Sequence, residues 1–267
     1  MSSSRSPIGV FDSGIGGLSV LDALRAELPR ERFVYFADTA HAPYGERGDA
    51  FVAQRTLAIV ADLIERHAIK ALVVACNTAT AAAIHLVRDR WPDMPVVGVE
   101  PALKPAVALS TSKHIGVLAT RGTLESRKFK ALHDSLASQA TFRLVPCDGL
   151  ASAIDAAASD RIAELCARYM RSAAPFGDAA NEVDTLVLGC THYPFVAAEL
   201  RRHAGGAVRF IDTGAPVAQQ TRRLLAAANL LANDDVELPT LLEASGSAAA
   251  LTEAATRWLH PATALAH

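Results

Sequence analysis

The sequence predicts an α/β protein built as two similar lobes, each a mostly parallel sheet flanked by helices. Three observations predict it. Short β-branched runs alternate along the chain with segments whose apolar residues recur at helical spacing, the pattern of successive βαβ units. Two stretches of the chain echo two others in the same order. Apolar residues make up 51% of the 267, enough to fill one large core or two smaller ones.

Taken in order, strands are expected at Ile8–Phe11, Phe33–Phe36, Ala71–Ala75, Val96–Val99, His114–Leu118, Phe142–Val145, Thr185–Leu188 and Val208–Ile211. Many are unbroken apolar runs, as strands covered on both faces are. Leu18, Leu21, Leu24 and Leu28 follow the first strand at helical spacing. Val52, Ile59, Val60, Leu63 and Ile64 do so after the second. The stretch 173–183 reads as a polar loop around Pro175 and Gly177. From Asn233 onward the chain is Ala-rich and offers no clear element. The first six residues are expected to be disordered.

The echoes define the lobes. Ile8-Gly9-Val10-Phe11-Asp12-Ser13 resembles Ile115-Gly116-Val117-Leu118-Ala119-Thr120, and Leu72-Val73-Val74-Ala75-Cys76-Asn77-Thr78 resembles Leu186-Val187-Leu188-Gly189-Cys190-Thr191-His192. Both pairs are separated by roughly 110 residues, so each lobe has a first strand and a cysteine-bearing strand. Pro92, Pro95, Pro101 and Pro105 mark the boundary between them. The lobes are assigned to residues 1–98 with a returning segment 208–267, and to residues 99–207.

Charge and composition exclude some functions. Lys and Arg number 26 against 28 Asp and Glu, a net charge of -2, and the signs are interspersed. Nucleic acid is therefore not an expected partner. No apolar run is long enough to span a bilayer, and residues 1–7 contain no apolar core of a signal peptide. The expected place is the cytoplasm, with no membrane partner. There Cys76, Cys147, Cys166 and Cys190, which form no CxxC pair, are expected to be reduced thiols.

Cys76 ends an apolar strand and precedes Asn77, Thr78 and a helical run. Cys190 stands in the same place before Thr191 and His192. In open α/β sheets ligands bind at such strand-to-helix crossings. The N–H groups of a helix start favour a thiolate and can hold a carboxylate. The plainer alternative is that both are small buried residues. For Cys147 and Cys166 that alternative is preferred.

Three further motifs carry polar groups. Asp12-Ser13-Gly14-Ile15-Gly16-Gly17 follows the first strand. It lacks the spacing of a phosphate loop, and its acid suits an amino group or a proton relay, although a tight turn or a helix cap needs the same residues. Asp38-Thr39-Ala40-His41-Ala42-Pro43-Tyr44-Gly45 follows the second strand and can bring a hydroxyl and a backbone N–H over a ligand, or be an ordinary surface loop. His192 is better placed as charge partner or general acid for a thiol than as a zinc ligand, since no closing pair of ligands completes a set.

Together, Asp12-Ser13-Gly14-Ile15-Gly16-Gly17, Pro43-Tyr44-Gly45, Ala75-Cys76-Asn77-Thr78-Ala79 and Gly189-Cys190-Thr191-His192-Tyr193-Pro194 resemble the bacterial glutamate racemases, in that family's order and spacing, over roughly Ile8 to Arg223. The resemblance implies an active site between the lobes, with Cys76 and Cys190 on opposite faces of the substrate α-carbon. It implies that Asp12 assists Cys76 and His192 assists Cys190. Glutamate would be bound by Asp12, Ser13, Pro43, Tyr44, Gly45, Asn77, Thr78, Thr120, Thr191 and His192. It implies no cofactor, neither pyridoxal phosphate nor metal, and a role in supplying D-glutamate for peptidoglycan. A homodimer is compatible with it.

Two departures stand out. Many relatives carry a Pro and then a Glu in the region matching 147–155, where this chain has Cys147-Asp148-Gly149 and then Asp155. The role of Asp155 is left open. Thr80 stands where Ser is common. Two other readings remain: a racemase of the same architecture acting on aspartate or a hydantoin, and a non-catalytic binding or inhibitory protein.

Overall fold

The structure, a computed structural model, describes residues 3–233 and 239–259 together with the backbone of 265–266. In chain order it contains β1 (Ile8–Asp12), α1 (Leu18–Glu27), β2 (Phe33–Ala37), α2 (Asp49–His67), β3 (Ala71–Val74), α3 (Asn77–Arg90) and β4 (Val96–Gly98). There follow α4 (Leu103–Leu109), β5 (His114–Ala119), α5 (Arg121–Glu125), α6 (Arg127–Leu136), β6 (Thr141–Pro146), α7 (Leu150–Asp155), α8 (Ser159–Ala173), β7 (Thr185–Gly189), α9 (Ala197–Ala204) and β8 (Arg209–Ile211). The chain ends with α10 (Gly214–Ala227), β9 (Thr240–Ala244), α11 (Ala248–Trp258) and β10 (Leu265–Ala266). No helix among the described residues is long and apolar enough to cross a membrane.

The chain divides into two compact units, Met1–Val99 with Gly214–His267, and Glu100–Thr213. The first holds a six-stranded parallel sheet in the order β10-β9-β2-β1-β3-β4. The second holds a four-stranded parallel sheet in the order β6-β5-β7-β8. The sequence echo has a direct counterpart here. In each sheet the first echoed strand, β1 or β5, lies beside the cysteine-bearing strand, β3 or β7. All eight strands expected from the sequence are present, and the two-lobed α/β class with them.

In the first unit β1, β2 and β3 are buried along their whole length. Their outer faces pack on α2 and α3 through Val52, Ile59, Val60, Leu63, Ile84 and Val87. The second unit packs α4 and α6 on β5 and β7 through Leu103, Val107, Phe129 and Leu136. Burial of such side chains supplies about 1.5–3 kcal/mol each and drives both units.

Three sequence expectations change. Residues 208–213 do not belong with the first lobe: β8 pairs with β7 in the register Thr185↔Arg209, so the chain returns at Gly214. Within the supposedly disordered first six residues, 3–6 form a turn, with Ser6 N–H donating to Ser3 O at 3.0 Å and Lys70 Nζ donating to Ser4 O. Residues 1 and 2 lie outside the described residues. The C-terminal stretch is not featureless but contributes β9 to the sheet beside β2.

The ends of the strands opposite the cysteines are pinned by polar anchors. Ahead of β2 and β3, the Lys70 ammonium and Glu31 carboxylate pair at 2.5 Å, both fully buried, and Glu31 also accepts from Ala232 N–H at 2.9 Å. Ahead of β7, Asp184 accepts from Ser110 Oγ at 2.6 Å and from the N–H groups of Thr111 and Ser112. Burial opposes its charge, but these bonds outweigh it and hold the carboxyl well below the usual range.

Candidate active site

In the first unit the carboxyl ends of β1, β2 and β3 bring together Asp12, Ser13, the Pro43–Gly45 loop, Cys76, Asn77 and Thr78. Asp12 is fully buried. Its Oδ1 accepts from Ser13 Oγ and from Gly14 N–H, both at 3.1 Å. Ser13 Oγ lies 3.7 Å from Cys76 Sγ, within hydrogen-bonding reach of sulfur. Asp12 and the thiol are thus joined through one hydroxyl. The glycines of the turn let this happen: a Cβ on Gly17 would sit 2.7 Å from Asp12 Cβ and 2.9 Å from the Tyr35 hydroxyl. That hydroxyl donates to Gly14 O at 2.8 Å and fixes the turn from below.

Cys76 is the N-cap of α3, and its Sγ accepts from Ala79 N–H at 3.4 Å. Caps are usually oxygen side chains. A neutral thiol is a poor acceptor, whereas a helix N-terminus with an N–H aimed at sulfur favours negative charge there. One turn on, Thr80 Oγ1 donates to Val74 O at 3.1 Å and accepts from Val99 N–H at 3.0 Å, tying the start of α3 to its strand.

Asn77 is buried, and neither its Oδ1 nor its Nδ2 has a hydrogen-bond partner among the described residues. A buried unsatisfied amide costs about 1–3 kcal/mol, so Asn77 carries unmet hydrogen-bonding capacity beside the thiol.

The Pro43-Tyr44-Gly45 loop corrects one detail of the sequence reading. Tyr44 is buried with Phe11 and Cys76 in one cluster. Its hydroxyl donates to Asp38 Oδ2 at 2.5 Å. Burial, then the neighbouring carboxylate, push the phenol far above its ordinary pKa. The single O–H donor is spent inside the protein, so the donors this loop can offer a ligand are backbone N–H groups.

In the second unit the carboxyl ends of β5 and β7 carry Thr120, Cys190, Thr191 and His192. Cys190 and His192 are nearly buried, and Cys190 Sγ lies 3.6 Å from His192 Nδ1. The other imidazole nitrogen, Nε2, lies 3.0 Å from Asp155 Oδ1 at the end of α7. Burial disfavours the charged imidazole, but Asp155 more than offsets this and Cys190 adds to it, raising the His192 pKa well above the usual value. An imidazolium donates from both nitrogens, matching a carboxylate on one side and a thiolate on the other. Asp155 is the member of this site that sequence reasoning left without a role. Nothing local in the sequence links it to a histidine 37 positions away.

Thr120 caps α5 by accepting from Thr123 N–H at 3.2 Å. It is the counterpart of Ser13 in the echo of the two lobes. A Cβ on Gly189, just before the thiol, would lie 3.0 Å from Leu118 O, so glycine allows β7 to approach β5 closely. Cys147 and Cys166 are buried. Burial, and for Cys147 also the Cys190 charge, push both thiols up, Cys166 to about 11. Neither is poised as a nucleophile.

Among the described residues no group of three or more His, Cys, Asp and Glu could hold a metal ion. Two parallel sheets each carry a cysteine between a strand end and a helix or 3-10 turn, and each thiol lies beside an acid–hydroxyl or acid–imidazole pair, a setting suited to acid–base chemistry. The model of the Asp/Glu/Hydantoin racemase family matches residues 8–221, and the chain belongs to that family. Curated relatives are glutamate racemases. That of Pseudomonas syringae pv. tomato is 48% identical over 85% of this chain and 81% of its own length, and that of Ralstonia pickettii 47% over 89% and 83%. Among solved structures, a glutamate racemase isoform from Bacillus anthracis superposes with a TM-score of 0.85 at 29% identity, covering 98% of this chain and 97% of that one. The Escherichia coli glutamate racemase, solved with L-glutamate and the activator UDP-MurNAc-Ala, gives 0.81 at 31%, covering 94% and 95%.

Proposed function

We propose that this enzyme, a glutamate racemase, interconverts L- and D-glutamate by two-base proton transfer between Cys76 and Cys190. The single observation that carries the reading is the matched setting of the two thiols, each at the end of an equivalent strand and each backed by its own carboxylate. Inverting a carbon requires a proton taken from one face and another delivered to the opposite face. A thiolate and a thiol acting as a pair would do both without turning the substrate over.

In this scheme the Cys190 thiolate removes the α-proton of L-glutamate and Cys76 delivers its proton to the other face, with the roles exchanged for D-glutamate. Asp12, through Ser13, serves Cys76. His192, held charged by Asp155, serves Cys190. Each positioned base or acid of this kind contributes about 10²–10⁴-fold. The α-proton is a weak acid, so charge developing on the carbanion and carboxylate needs fixed donors. Asn77, with both amide atoms unpaired, is the foremost of these; Thr78, Thr120 and Thr191 stand beside the thiols, and the backbone at Pro43–Gly45 is read as receiving the rest of the substrate.

The product would feed cell-wall peptidoglycan in the cytoplasm, where four free thiols stay reduced. We read the chain as capable of homodimerising, which sedimentation at two concentrations tests. The activity is tested by circular dichroism on a panel of amino acids. Inversion of glutamate at least a hundredfold faster than of aspartate or hydantoins supports the assignment; the reverse preference contradicts it. Absence of any α-proton exchange with solvent would favour a binding protein on the same fold.

A further inference from the structure

The reaction scheme uses Tyr44 and Gly45 but leaves unexplained what holds them. The segment from Asp38 to Arg47 consists of two single-turn 3-10 helices, Thr39–His41 and Tyr44–Glu46, joined by Ala42 and Pro43. Its backbone bonds include two turn closures, His41 N–H to Asp38 O at 2.9 Å and Arg47 N–H to Tyr44 O at 3.0 Å. Side chains hold the rest, and they converge on Asp38.

Asp38 follows β2 and its side chain is fully buried. Arg55, in the middle of α2, grips both of its oxygens, Nη2 to Oδ1 at 2.8 Å and Nε to Oδ2 at 3.0 Å. Oδ1 also meets His41 Nδ1 at 2.9 Å, and Oδ2 accepts the Tyr44 hydroxyl at 2.5 Å. The returning C-terminal strand adds Ser245, whose Oγ accepts from Ala40 N–H at 3.1 Å and whose side chain also bonds Asp38. Beside it, a Cβ on Gly246 would lie 2.6 Å from Thr39 Oγ1, so the strand end presses directly on the loop.

We propose that Arg55 is a positioning residue of the racemase reaction: acting through Asp38, its guanidinium fixes the Tyr44 hydroxyl and so sets the Pro43–Gly45 backbone where it receives glutamate. The proposal rests on the reading that this loop contacts the substrate.

Two alternatives for the cluster fail on its chemistry. Asp38 is not a proton carrier near neutral pH. Burial alone would raise its pKa, but the bonds from Arg55 first, then Tyr44, bring it down to about 2. Nor is the Tyr44 hydroxyl an acid for the substrate, since its proton is committed to that carboxylate. What remains is geometry. The fork of a guanidinium sets the carboxylate plane, and the plane sets the direction in which the phenol, and the loop with it, must point. A lysine at 55 keeps the charge but cannot grip two oxygens at once.

The test is Arg55→Lys, assayed in both reaction directions beside wild type. The expected result is a KM for both enantiomers about 10- to 30-fold higher, kcat within about threefold, and an unchanged pH profile of kcat. Unchanged KM in a folded variant, or a kcat loss larger than the KM rise, overturns the proposal. Should Arg55→Lys fail to fold, Tyr44→Phe removes only the hydroxyl that Asp38 holds and is expected to raise KM several-fold by the same partition; an unchanged KM there overturns the proposal equally. Wild type unable to invert glutamate refutes the underlying reading instead, so the two failures are separable.

Discussion

Replacing Asp155 by Asn isolates the charge that supports His192. Asparagine is nearly isosteric and keeps an oxygen where Oδ1 now lies 3.0 Å from His192 Nε2, but it removes the negative charge. With the carboxylate gone, burial dominates, and the imidazole pKa falls. A hydrogen bond to a charged group contributes about 1.5–3 kcal/mol. If that contribution is realised in the transition state in which Cys190 exchanges a proton with carbon, kcat/KM drops about 10- to 100-fold. L- and D-glutamate have equal free energies, so the drop must be the same in both directions. The asymmetry appears instead in the isotope effect. With α-deuterated substrates the effect on L-glutamate, whose proton Cys190 removes, rises above that on D-glutamate. The alkaline limb of kcat moves to lower pH, since the imidazolium is lost earlier. Circular dichroism follows both reactions directly. A variant with wild-type kcat/KM, or one whose larger isotope effect falls on D-glutamate, refutes the assignment of Asp155 and His192 to Cys190.

Other perturbations have signs fixed by the structure. Asn77→Ala removes two unpaired buried atoms, so the ligand-free protein is as stable as wild type or more stable by up to about 1–3 kcal/mol, while KM rises; a marked fall in melting temperature contradicts the view that the amide is unsatisfied. Lys70→Met leaves the Glu31 carboxylate buried without its cation, costing about 3–5 kcal/mol in urea unfolding with activity per folded molecule unchanged; a loss under 1 kcal/mol, read by the same titration, counts against a buried pair. The Asp38 carboxyl sits at about 2, below its ordinary 3.8, so its stabilisation is complete above the ordinary value and is lost as pH falls through the folded one. Asp38→Asn therefore flattens the acid limb of stability between those values, and identical limbs for variant and wild type contradict the Arg55 fork.

The sequence was most legible where one physical cause sufficed. β1, β2, β3 and β7 are buried on both faces and read as unbroken apolar runs. β9 did not, because Thr240–Ala244 is only partly buried and contains Glu243, whose carboxylate is taken up by Arg66 and His67 of α2. Cys76 and Cys190 were legible because a strand end followed by polar residues is a local signal. Asp155 was not, because its meaning depends on the end of α7 meeting a histidine from the far end of β7. The Tyr44 hydroxyl was misjudged for a related reason: the sequence places it in a loop but gives no sign that Arg55 and Asp38 have already claimed it. The orphaned amide of Asn77 is a property of packing alone.

The central claim is that two thiols, one from each unit, handle one proton apiece. The measurement that meets it most directly is racemisation of each enantiomer in deuterium oxide, with wild type beside Cys76→Ala and Cys190→Ala. The account predicts that early wild-type product carries solvent deuterium while unreacted substrate does not. It also predicts that each variant folds and binds glutamate yet fails to invert it. Inversion at a wild-type rate by either single-thiol protein would contradict the account.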